Sequence, residues 1–337
     1  MSDAASSPPP GEFDLIARCF HRHRAPRPGV PLGPGDDCAL LAPRPGMQLA
    51  VSTDMLVEGR HFLSTVAPEA LGHKALAVNL SDLAACGATP LACTLALAMP
   101  RGDADWLGRF ADGFYALADR HGIALAGGDM TAGPLNLSLT VIGEVPTGQA
   151  LLRSGARVGD TLWVSGRLGD ARLALEGFRG TVKLPGEVFD RVRLAMERPE
   201  PRVALGQALR GLASAALDLS DGLLGDVRHL LARSAEALGR PQPLGLRLDA
   251  DALPRSAELA AQPLALQRLC TLAGGDDYEL AFTAPAAAEA AVRAAAAQAG
   301  VAVTPVGRIE AETGLRCVDA AGLPVAADYL AFDHFRG

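Results

Sequence analysis

The stretch Val51-Ser52-Thr53-Asp54 ends an apolar segment in a carboxylate that two hydroxyl residues precede. Similar Asp-bearing turns recur beside small residues at the ends of hydrophobic segments, whereas surface carboxylates are usually scattered among other charged residues. These turns are Gly33-Pro34-Gly35-Asp36-Asp37, Ser81-Asp82, Gly127-Gly128-Asp129, Asp218-Leu219-Ser220-Asp221-Gly222 and Gly274-Gly275-Asp276-Asp277. Carboxylate oxygens at such positions predict a shared site for divalent cations.

The composition indicates a large aliphatic core divided between two domains. The chain has 337 residues, of which 49% are hydrophobic and only 4% aromatic, and this length exceeds what one core usually serves. We expect a disordered, Ser- and Pro-rich tail over residues 1–10. An N-terminal α/β domain over residues 11–149 and a C-terminal α+β domain over residues 150–337 follow, with the boundary in the Gly- and Arg-rich connection before Asp160.

Charge and hydropathy exclude two classes of partner. The net charge is -7 and no basic run occurs, which argues against nucleic acid. The most apolar stretch, residues 75–99, contains Asn79, Asp82 and Pro90, so we expect no membrane span. Residues 1–10 do not have the pattern of a secretory signal, and the six cysteines form no C-x-x-C pair. We therefore expect a cytoplasmic protein with reduced, buried thiols.

Hydrophobic periodicity and turn residues predict alternating strands and helices, and hence a mixed α/β fold. The predicted strands are residues 38–42, 48–52, 91–98, 123–126, 135–143, 161–165, 215–219, 278–282 and 301–306. The predicted helices are residues 12–23, 68–86, 103–121, 222–239, 264–272 and 286–299, with a further helix beginning at Asp170. The helix containing Asp82 is apolar on almost every face, so this carboxylate needs a compensating partner such as Lys74 or a metal ion.

Magnesium chemistry can explain why the carboxylates are so numerous. Mg²⁺ usually takes one or two carboxylates together with phosphate oxygens, so a larger set suits several ions on a polyphosphate. The candidates are Asp36, Asp37, Asp54, Asp82, Asp129, Asp218 and Asp221. The alternative is that each Asp only caps a helix or stabilises a turn. Because Lys74 and Lys183 are the only lysines, metal ions and arginine would have to supply positive charge to a bound phosphate.

Several common active-site motifs are missing from the chain. It contains no P-loop motif and no G-x-G-x-x-G after a predicted strand. It also contains no G-x-S-x-G and no H-E-x-x-H, and its histidines lack the spacing of a zinc site. His61, seven residues after Asp54 and beside Arg60, is placed to meet a phosphate, although an ordinary loop histidine would look the same.

Seven motifs in a fixed order resemble the thiamine-monophosphate kinase family over about Gly11 to Phe335, which is nearly the whole chain. They are Gly35-Asp36-Asp37-Cys38-Ala39, Ser52-Thr53-Asp54 with His61-Phe62, Lys74-Ala75-Leu76-Ala77-Val78-Asn79-Leu80-Ser81-Asp82, Gly127-Gly128-Asp129, Arg153-Ser154-Gly155-Ala156, Asp218-Leu219-Ser220-Asp221-Gly222 and Asp277-Tyr278-Glu279-Leu280. Each motif is short and unspecific alone, whereas their combined order and spacing are specific.

The resemblance implies a two-domain, aminoimidazole ribonucleotide synthetase-like fold and a cytoplasmic homodimer whose interface lies in the N-terminal domain. It implies ATP-dependent phosphorylation of thiamine monophosphate to thiamine diphosphate, with several Mg²⁺ ions, ATP as co-substrate and no catalytic nucleophile or base. The implied magnesium ligands are Asp37, Ser52, Thr53, Asp54, Asp82, Asp129, Asp218 and Asp221. The implied ATP contacts are Gly128, Asp129, Arg153 and Ser220, and the implied substrate contacts are His61, Asp276 and Phe332.

The chain departs from the family pattern at Asp276, where the family commonly has Glu. Asp keeps the negative charge on a side chain that is one methylene shorter. Phe332 suits an aromatic ring that stacks on a heterocycle, although it would equally suit packing on the core. Two other functions stay open: another ATP-using enzyme of the superfamily that includes selenophosphate synthetase, or a non-catalytic regulator that binds a nucleotide or metal.

Overall fold

The computed structural model describes residues 11–21 and 27–325, so the predicted tail and Phe332 lie outside the described residues. The helices are α1 (Glu12–Phe20), α2 (Pro68–Ala85), α3 (Ala104–His121), α4 (Asp170–Phe178), α5 (Gly186–Glu197), α6 (Val203–Ala208), α7 (Leu223–Ala237), α8 (Ala257–Ala260), α9 (Leu264–Ala273) and α10 (Glu289–Gln298). The strands are β1 (Met47–Val57), β2 (Thr89–Met99), β3 (Ala124–Ala132), β4 (Asn136–Pro146), β5 (Thr161–Ser165), β6 (Ala215–Asp218), β7 (Gly245–Asp249), β8 (Leu280–Ala284), β9 (Val303–Glu310) and β10 (Gly314–Val318).

The chain divides into two compact units that are discontinuous in sequence. Unit 1 contains the described residues up to Pro45, together with Val51–Asn79 and Pro90–Gly143. Unit 2 contains Gly46–Ala50, Leu80–Thr89 and the described chain from Glu144 onward. The division passes through β1 and α2. The expected boundary at residues 149 and 150 stays a prediction.

Unit 1 is built on a four-stranded sheet with the order β1-β4-β2-β3. Strands β2 and β3 pair in parallel, and α3 connects them. Helix α2 is buried on all sides from Leu71 to Ser81, as its apolar sequence predicts. It crosses α3 closely: a Cβ on Gly72 would lie only 2.0 Å from the Phe110 carbonyl oxygen. Glycine therefore allows the two helix backbones to approach each other.

Helix α3 begins and ends where its sequence predicts. The Asp103 carboxylate accepts hydrogen bonds from the backbone N–H groups of Asp105 and Trp106, which would otherwise lack partners at the helix start. Gly122 ends the helix in the left-handed conformation at φ 66°. The inward residues Phe110 and Phe114 are fully buried. Local signals alone thus specify this helix.

Unit 2 is built on a six-stranded sheet with the order β10-β7-β9-β5-β8-β6. Its strands pair antiparallel, except β10 and β7, which are parallel. The main core lies between this sheet and α7 and includes Leu162, Leu217, Leu230 and Val306, all almost inaccessible. No helix of the described residues is long and apolar enough to cross a membrane.

Several predicted boundaries are wrong, and most of the errors make strands too short. Strand β1 runs five residues beyond the predicted end, and β3 continues through Gly127, Gly128 and Asp129 to Ala132. Residues 38–42 form no strand; Leu40 makes only an isolated bridge with Leu32. Cys38 is exposed, although we expected buried thiols throughout. Helices α5, α6 and α8 and strands β7 and β10 have no counterpart among the predicted elements.

Candidate functional site

The Ser52-Thr53-Asp54 motif lies within strand β1, not at its end. Side chains alternate along a strand, so Ser52 and Asp54 share one face while Thr53 lies on the other. The Thr53 hydroxyl is 2.8 Å from the hydroxyl of Thr140 on the neighbouring strand. The backbone N–H of Asp54 donates to the Asn79 side chain of α2 at 3.2 Å. If Thr53 and Asp54 hold one ion, Thr53 must contribute its backbone carbonyl.

Unit 1 contains a cleft of about 290 Å³ that brings two of the predicted ligands together. Asp37 lines it from the loop before β1, and Gly128 and Asp129 line it from β3. The Asp37 backbone N–H donates to the Asp36 carboxylate at 2.9 Å, which fixes the local turn. The cleft thus combines carboxylates with exposed backbone, a donor set that suits a metal-bound phosphate.

Gly128 is required by the close approach of two parallel strands. It pairs with Leu95 of β2, and a Cβ at this position would lie 1.9 Å from the Leu95 carbonyl oxygen. No side chain can occupy that space without separating the strands. A one-residue irregularity in the β2–β3 register precedes this pair, between Cys93 and Thr94. The glycine therefore lets the strand extend directly into the cleft beside Asp129.

His61 lies in the turn after β1, where its Nδ1 accepts a hydrogen bond from the Val57 backbone N–H at 3.0 Å. This bond orients the ring and favours the tautomer with its proton on Nε2. A neutral imidazole that carries its proton on Nε2 can donate a hydrogen bond to a phosphate oxygen. The arrangement is compatible with the predicted substrate contact.

In unit 2, Asp218 at the end of β6 is buried and accepts a hydrogen bond from the Ser81 hydroxyl at 2.8 Å. Ser81 directly precedes Asp82, so the predicted ligands Asp82 and Asp218 come from neighbouring segments of the unit. A buried carboxylate is costly unless it is hydrogen-bonded or bound to a cation. This pair of segments therefore carries negative charge in a place suited to a metal ion.

The turn Ser220-Asp221-Gly222 follows β6 and contacts the segment around Asp276. The Asp276 backbone N–H donates to the Ser220 carbonyl at 2.7 Å, and Tyr278 N–H donates to the Leu219 carbonyl at 2.8 Å. Asp276 and Tyr278 have φ values of 60° and 51°, a conformation that non-glycine residues rarely adopt. The structure thus places the predicted ATP contact Ser220 beside the predicted substrate contact Asp276.

Asp277, between these two strained residues, is partly buried in unit 2. Its carboxylate accepts the backbone N–H of Gly169 at 2.8 Å. Burial raises the pKa of Asp277 well above its usual value, and the charges of Glu279, Asp170 and Asp276 raise it further. Its Gly169 hydrogen bond lowers the pKa, but burial outweighs it. The carboxyl group therefore anchors this segment to Gly169.

Sequence reasoning assigned no role to three residues near the predicted site. Asp226 on α7 is buried, and burial and the neighbouring Asp221 raise its pKa to about 7, although Arg153 lowers it. Glu279 is buried and receives two hydrogen bonds from Arg202. The only local signal for Asp226 is its position one helical turn after Gly222. Arg202 is far from Glu279 in sequence, and no sequence signal links the two.

Arg153 lines a second depression in unit 2, with Arg233 and Glu236 from α7. The loop that carries Arg153 is fixed to α7 by Ser234, whose hydroxyl accepts from Gly155 and Ala156 N–H and donates to the Arg153 carbonyl. The Arg153 charge also acts on Asp226. The guanidinium is therefore close enough to Asp226 for their charges to interact, and its planar fork suits a phosphate.

The described residues contain no group of three or more His, Cys, Asp or Glu side chains arranged to hold a metal ion. The predicted ligands instead occur as smaller sets, with Asp37 and Asp129 in the unit 1 cleft and Asp218 and Asp221 on one unit 2 turn. All are oxygen donors, the kind that Mg²⁺ prefers. The donor chemistry therefore fits magnesium bound jointly by carboxylates and phosphates.

Comparison with known proteins identifies relatives over nearly the full chain. Residues 35–145 match the family described as AIR synthase related protein, N-terminal domain, which confirms the expected fold class. The chain is 44% identical over 328 residues to the thiamine-monophosphate kinase of Salmonella typhimurium, covering 96% of this chain and 98% of that protein.

Solved structures show the same likeness. The structure of thiamine-monophosphate kinase from Stenotrophomonas maltophilia matches with a TM-score of 0.80 and 45% identity, over 90% of this chain and 94% of that one. A structure described as AaThiL complexed with AMPPCP and TMP matches with a TM-score of 0.73 and 28% identity, over 87% and 89% of the two chains. The predicted resemblance is therefore confirmed.

Proposed function

Because the chain belongs to the thiamine-monophosphate kinase family, we propose that it transfers the γ-phosphate of ATP to thiamine monophosphate, forming thiamine diphosphate and ADP. The observation that carries this proposal in the structure is the contact between Ser220 and Asp276, the expected ATP and substrate contacts. AaThiL holds AMPPCP, an ATP analogue, together with TMP, which is the pair of ligands that the reaction requires.

Positioning and charge are the main catalytic requirements of this transfer. The acceptor is a phosphate oxygen that is largely deprotonated near neutral pH, so no protein base or nucleophile is required. The donor and acceptor phosphates both carry negative charge, and the chain must hold them in line against that repulsion. Magnesium, when bound, would neutralise charge on the transferring phosphoryl group. The residues of the chain hold the two substrates and provide the oxygen ligands.

We assign the residue roles as follows. Magnesium would be held by Asp37, Ser52, Thr53, Asp54, Asp82, Asp129, Asp218 and Asp221. ATP would contact Gly128, Asp129, Arg153 and Ser220, and thiamine monophosphate would contact His61, Asp276 and Phe332. The shared chemistry of the first set is oxygen donation, and Arg153 adds a guanidinium that can bind a phosphate in two places. ATP as co-substrate is consistent with a cytoplasmic location.

A homodimer through unit 1 is part of the proposal. Strand β1 is an edge strand of its sheet, and Val51 and Met55 on one of its faces are 63% and 57% exposed. Exposed apolar residues on an unpaired edge are typical of an interface between proteins. The substitution Val51→Asp should shift the protein towards a monomer in light scattering after gel filtration. If the wild type already has the mass of a monomer and the variant has the same mass, this interface is contradicted.

Direct product analysis tests the activity. Purified protein incubated with Mg-ATP and thiamine monophosphate should form thiamine diphosphate and ADP in equal amounts. ADP without thiamine diphosphate would indicate another ATP-using enzyme of the superfamily, and nucleotide binding without turnover would indicate a regulator. Thiamine diphosphate formation is the result that supports the proposal.

Two matched variants test the metal assignment. Asp54→Asn should lower kcat by about a hundredfold or more, because the amide removes a negative charge from the phosphoryl-transfer site. Asp112→Asn, on an exposed position of α3 in the same unit, should retain wild-type activity. Equal activity of Asp54→Asn and Asp112→Asn, with unchanged unfolding curves, would remove Asp54 from the site.

A further inference from the structure

The geometry points to Asp226 as a positioning residue that fixes the turn carrying Ser220 and Asp221, and so sets the affinity of the site for the metal–nucleotide complex. This inference rests on the proposed roles of Ser220 and Asp221 and adds a residue that the family motifs did not suggest. Asp226 does not touch the substrates in this inference; it acts through the backbone of the turn.

The Asp226 side chain reaches back from the first turn of α7 to the residues that precede the helix. Its Oδ2 accepts the backbone N–H of Asp221 at 3.1 Å and that of Gly222, also at 3.1 Å. The side chain is only 6% exposed, so water cannot readily replace these two bonds. The Asp226 backbone N–H also donates to the Gly222 carbonyl at 3.0 Å, which closes the turn. One carboxylate therefore satisfies both N–H groups that lead into α7.

The opposite side of the turn is also confined, by the backbone after α9. A Cβ on Gly222 would lie 2.9 Å from the Ala273 backbone, and a Cβ on Gly275 would lie 2.8 Å from the Ser220 carbonyl oxygen. Asp276 N–H donates to that same Ser220 carbonyl. Asp226 thus holds one side of a turn whose other side is held by the segment that carries Asp276.

The consequence is a specific loss when the acceptor is removed. Without Asp226 the N–H groups of Asp221 and Gly222 have no acceptor, and the turn can rotate away from its present geometry. The Asp221 carboxylate would then be displaced from the metal–nucleotide complex. Groups that orient metal ligands typically affect metal affinity by about ten- to a hundredfold when removed.

Four variants of the full-length protein separate positioning from loss of structure. Asp226→Ala removes the acceptor, and Asp226→Asn keeps an oxygen that can accept both N–H groups. Asp160→Ala is the matched control: Asp160 is a buried carboxylate of unit 2 that accepts the Arg157 N–H at 3.0 Å and the Ser214 hydroxyl at 2.6 Å, away from the turn. Asp221→Asn tests the proposed metal ligand itself.

Binding of Mn²⁺ in the presence of AMPPCP is measured through the electron paramagnetic resonance signal of free Mn²⁺. Circular dichroism first shows that each protein is folded. Asp226→Ala should bind Mn²⁺ about tenfold or more weakly, while Asp226→Asn stays within about threefold of wild type. The KM for Mg-ATP should rise in Asp226→Ala, with a smaller change in the KM for thiamine monophosphate. Asp160→Ala should lose stability without loss of Mn²⁺ affinity.

Three results would overturn the inference. The first is wild-type Mn²⁺ affinity in folded Asp226→Ala together with impaired Mn²⁺ binding in Asp221→Asn. That result would leave the metal assignment intact but remove the role of Asp226. The second is equal loss of affinity in Asp226→Ala and Asp160→Ala, because that indicates general loosening of unit 2. The third is equal loss in Asp226→Asn and Asp226→Ala, because charge would then matter and not the hydrogen bonds. Wild-type affinity in Asp221→Asn would instead refute the proposed metal site.

Discussion

Replacing Arg202 with leucine should destabilise the start of strand β8 and the site segment attached to it. The Arg202 Nη2 lies 2.5 Å from Glu279 Oε1, and its Nε donates to Oε2 at 2.7 Å. The Ser165 hydroxyl donates to the same Oε2 at 2.5 Å. The Glu279 side chain is only 7% exposed, so Arg202→Leu leaves a buried carboxylate that has lost its cation.

The expected loss follows from this burial. Removing one partner of a buried ion pair costs about 3 to 5 kcal/mol, whereas a fully exposed pair contributes about 0 to 1 kcal/mol. The matched control is Arg233→Leu, because Arg233 pairs with Glu236 at 2.8 Å with side chains 65% and 70% exposed. We therefore expect a loss of about 3 to 5 kcal/mol for Arg202→Leu and less than about 1 kcal/mol for Arg233→Leu.

Urea unfolding followed by circular dichroism measures both losses, and the double variant Arg202→Leu/Glu279→Gln separates the pair from its surroundings. Removing the buried charge together with its partner should recover part of the stability lost in Arg202→Leu. Similar small losses for Arg202→Leu and Arg233→Leu would refute the reasoning. Strict additivity in the double variant would refute it as well.

Three further perturbations test other parts of the structure. Gly128→Ala should lower stability by about 1 to 3 kcal/mol and reduce activity, because its Cβ would meet the Leu95 carbonyl oxygen at 1.9 Å. Urea unfolding and product formation measure the two effects, and wild-type values would contradict the close strand approach. Iodoacetamide at mildly alkaline pH should label the exposed Cys38 in the folded protein. Burial raises the pKa of Cys270 to about 12, so this thiol should be labelled only after unfolding. Equal labelling rates of the two cysteines by mass spectrometry would contradict this. Because the raised pKa of Asp277 keeps a proton on the folded protein, its contribution to stability is present below about pH 4 and is lost as pH rises towards the folded pKa. Asp277→Asn should therefore gain stability relative to wild type as the pH rises above the unfolded pKa of about 4, and a pH-independent difference in urea unfolding would contradict the raised pKa.

Elements with strong local signals were predictable from the sequence. Helix α3 has a capping aspartate at its start and glycine at its end, and strand β5 matches its predicted range of residues 161–165. The acidic motifs were visible because Asp rarely follows buried apolar segments without a reason. Local chemistry therefore located both the main elements and the acidic turns.

Contacts between distant residues were not predictable in the same way. Strand β3 extends through Gly127 and Gly128 because β2 pairs with it, whereas two glycines in sequence indicate a turn. The Ser81–Asp218 and Arg202–Glu279 contacts depend on the packing of unit 2. The role of Asp226 likewise becomes visible only when its carboxylate is seen against the Asp221 turn. Register and packing, rather than residue type, decided these features.

Single-turnover transfer from ATP labelled in its γ-phosphate tests the central claim most directly. With enzyme in excess over ATP, and with magnesium and thiamine monophosphate present, the label should pass quantitatively into thiamine diphosphate, with none bound to acid-quenched protein. Direct in-line transfer predicts this result, because in that mechanism neither Asp54 nor any other residue of the site acts as a nucleophile. Label that accumulates on the protein, or that appears only as inorganic phosphate, would contradict the claim.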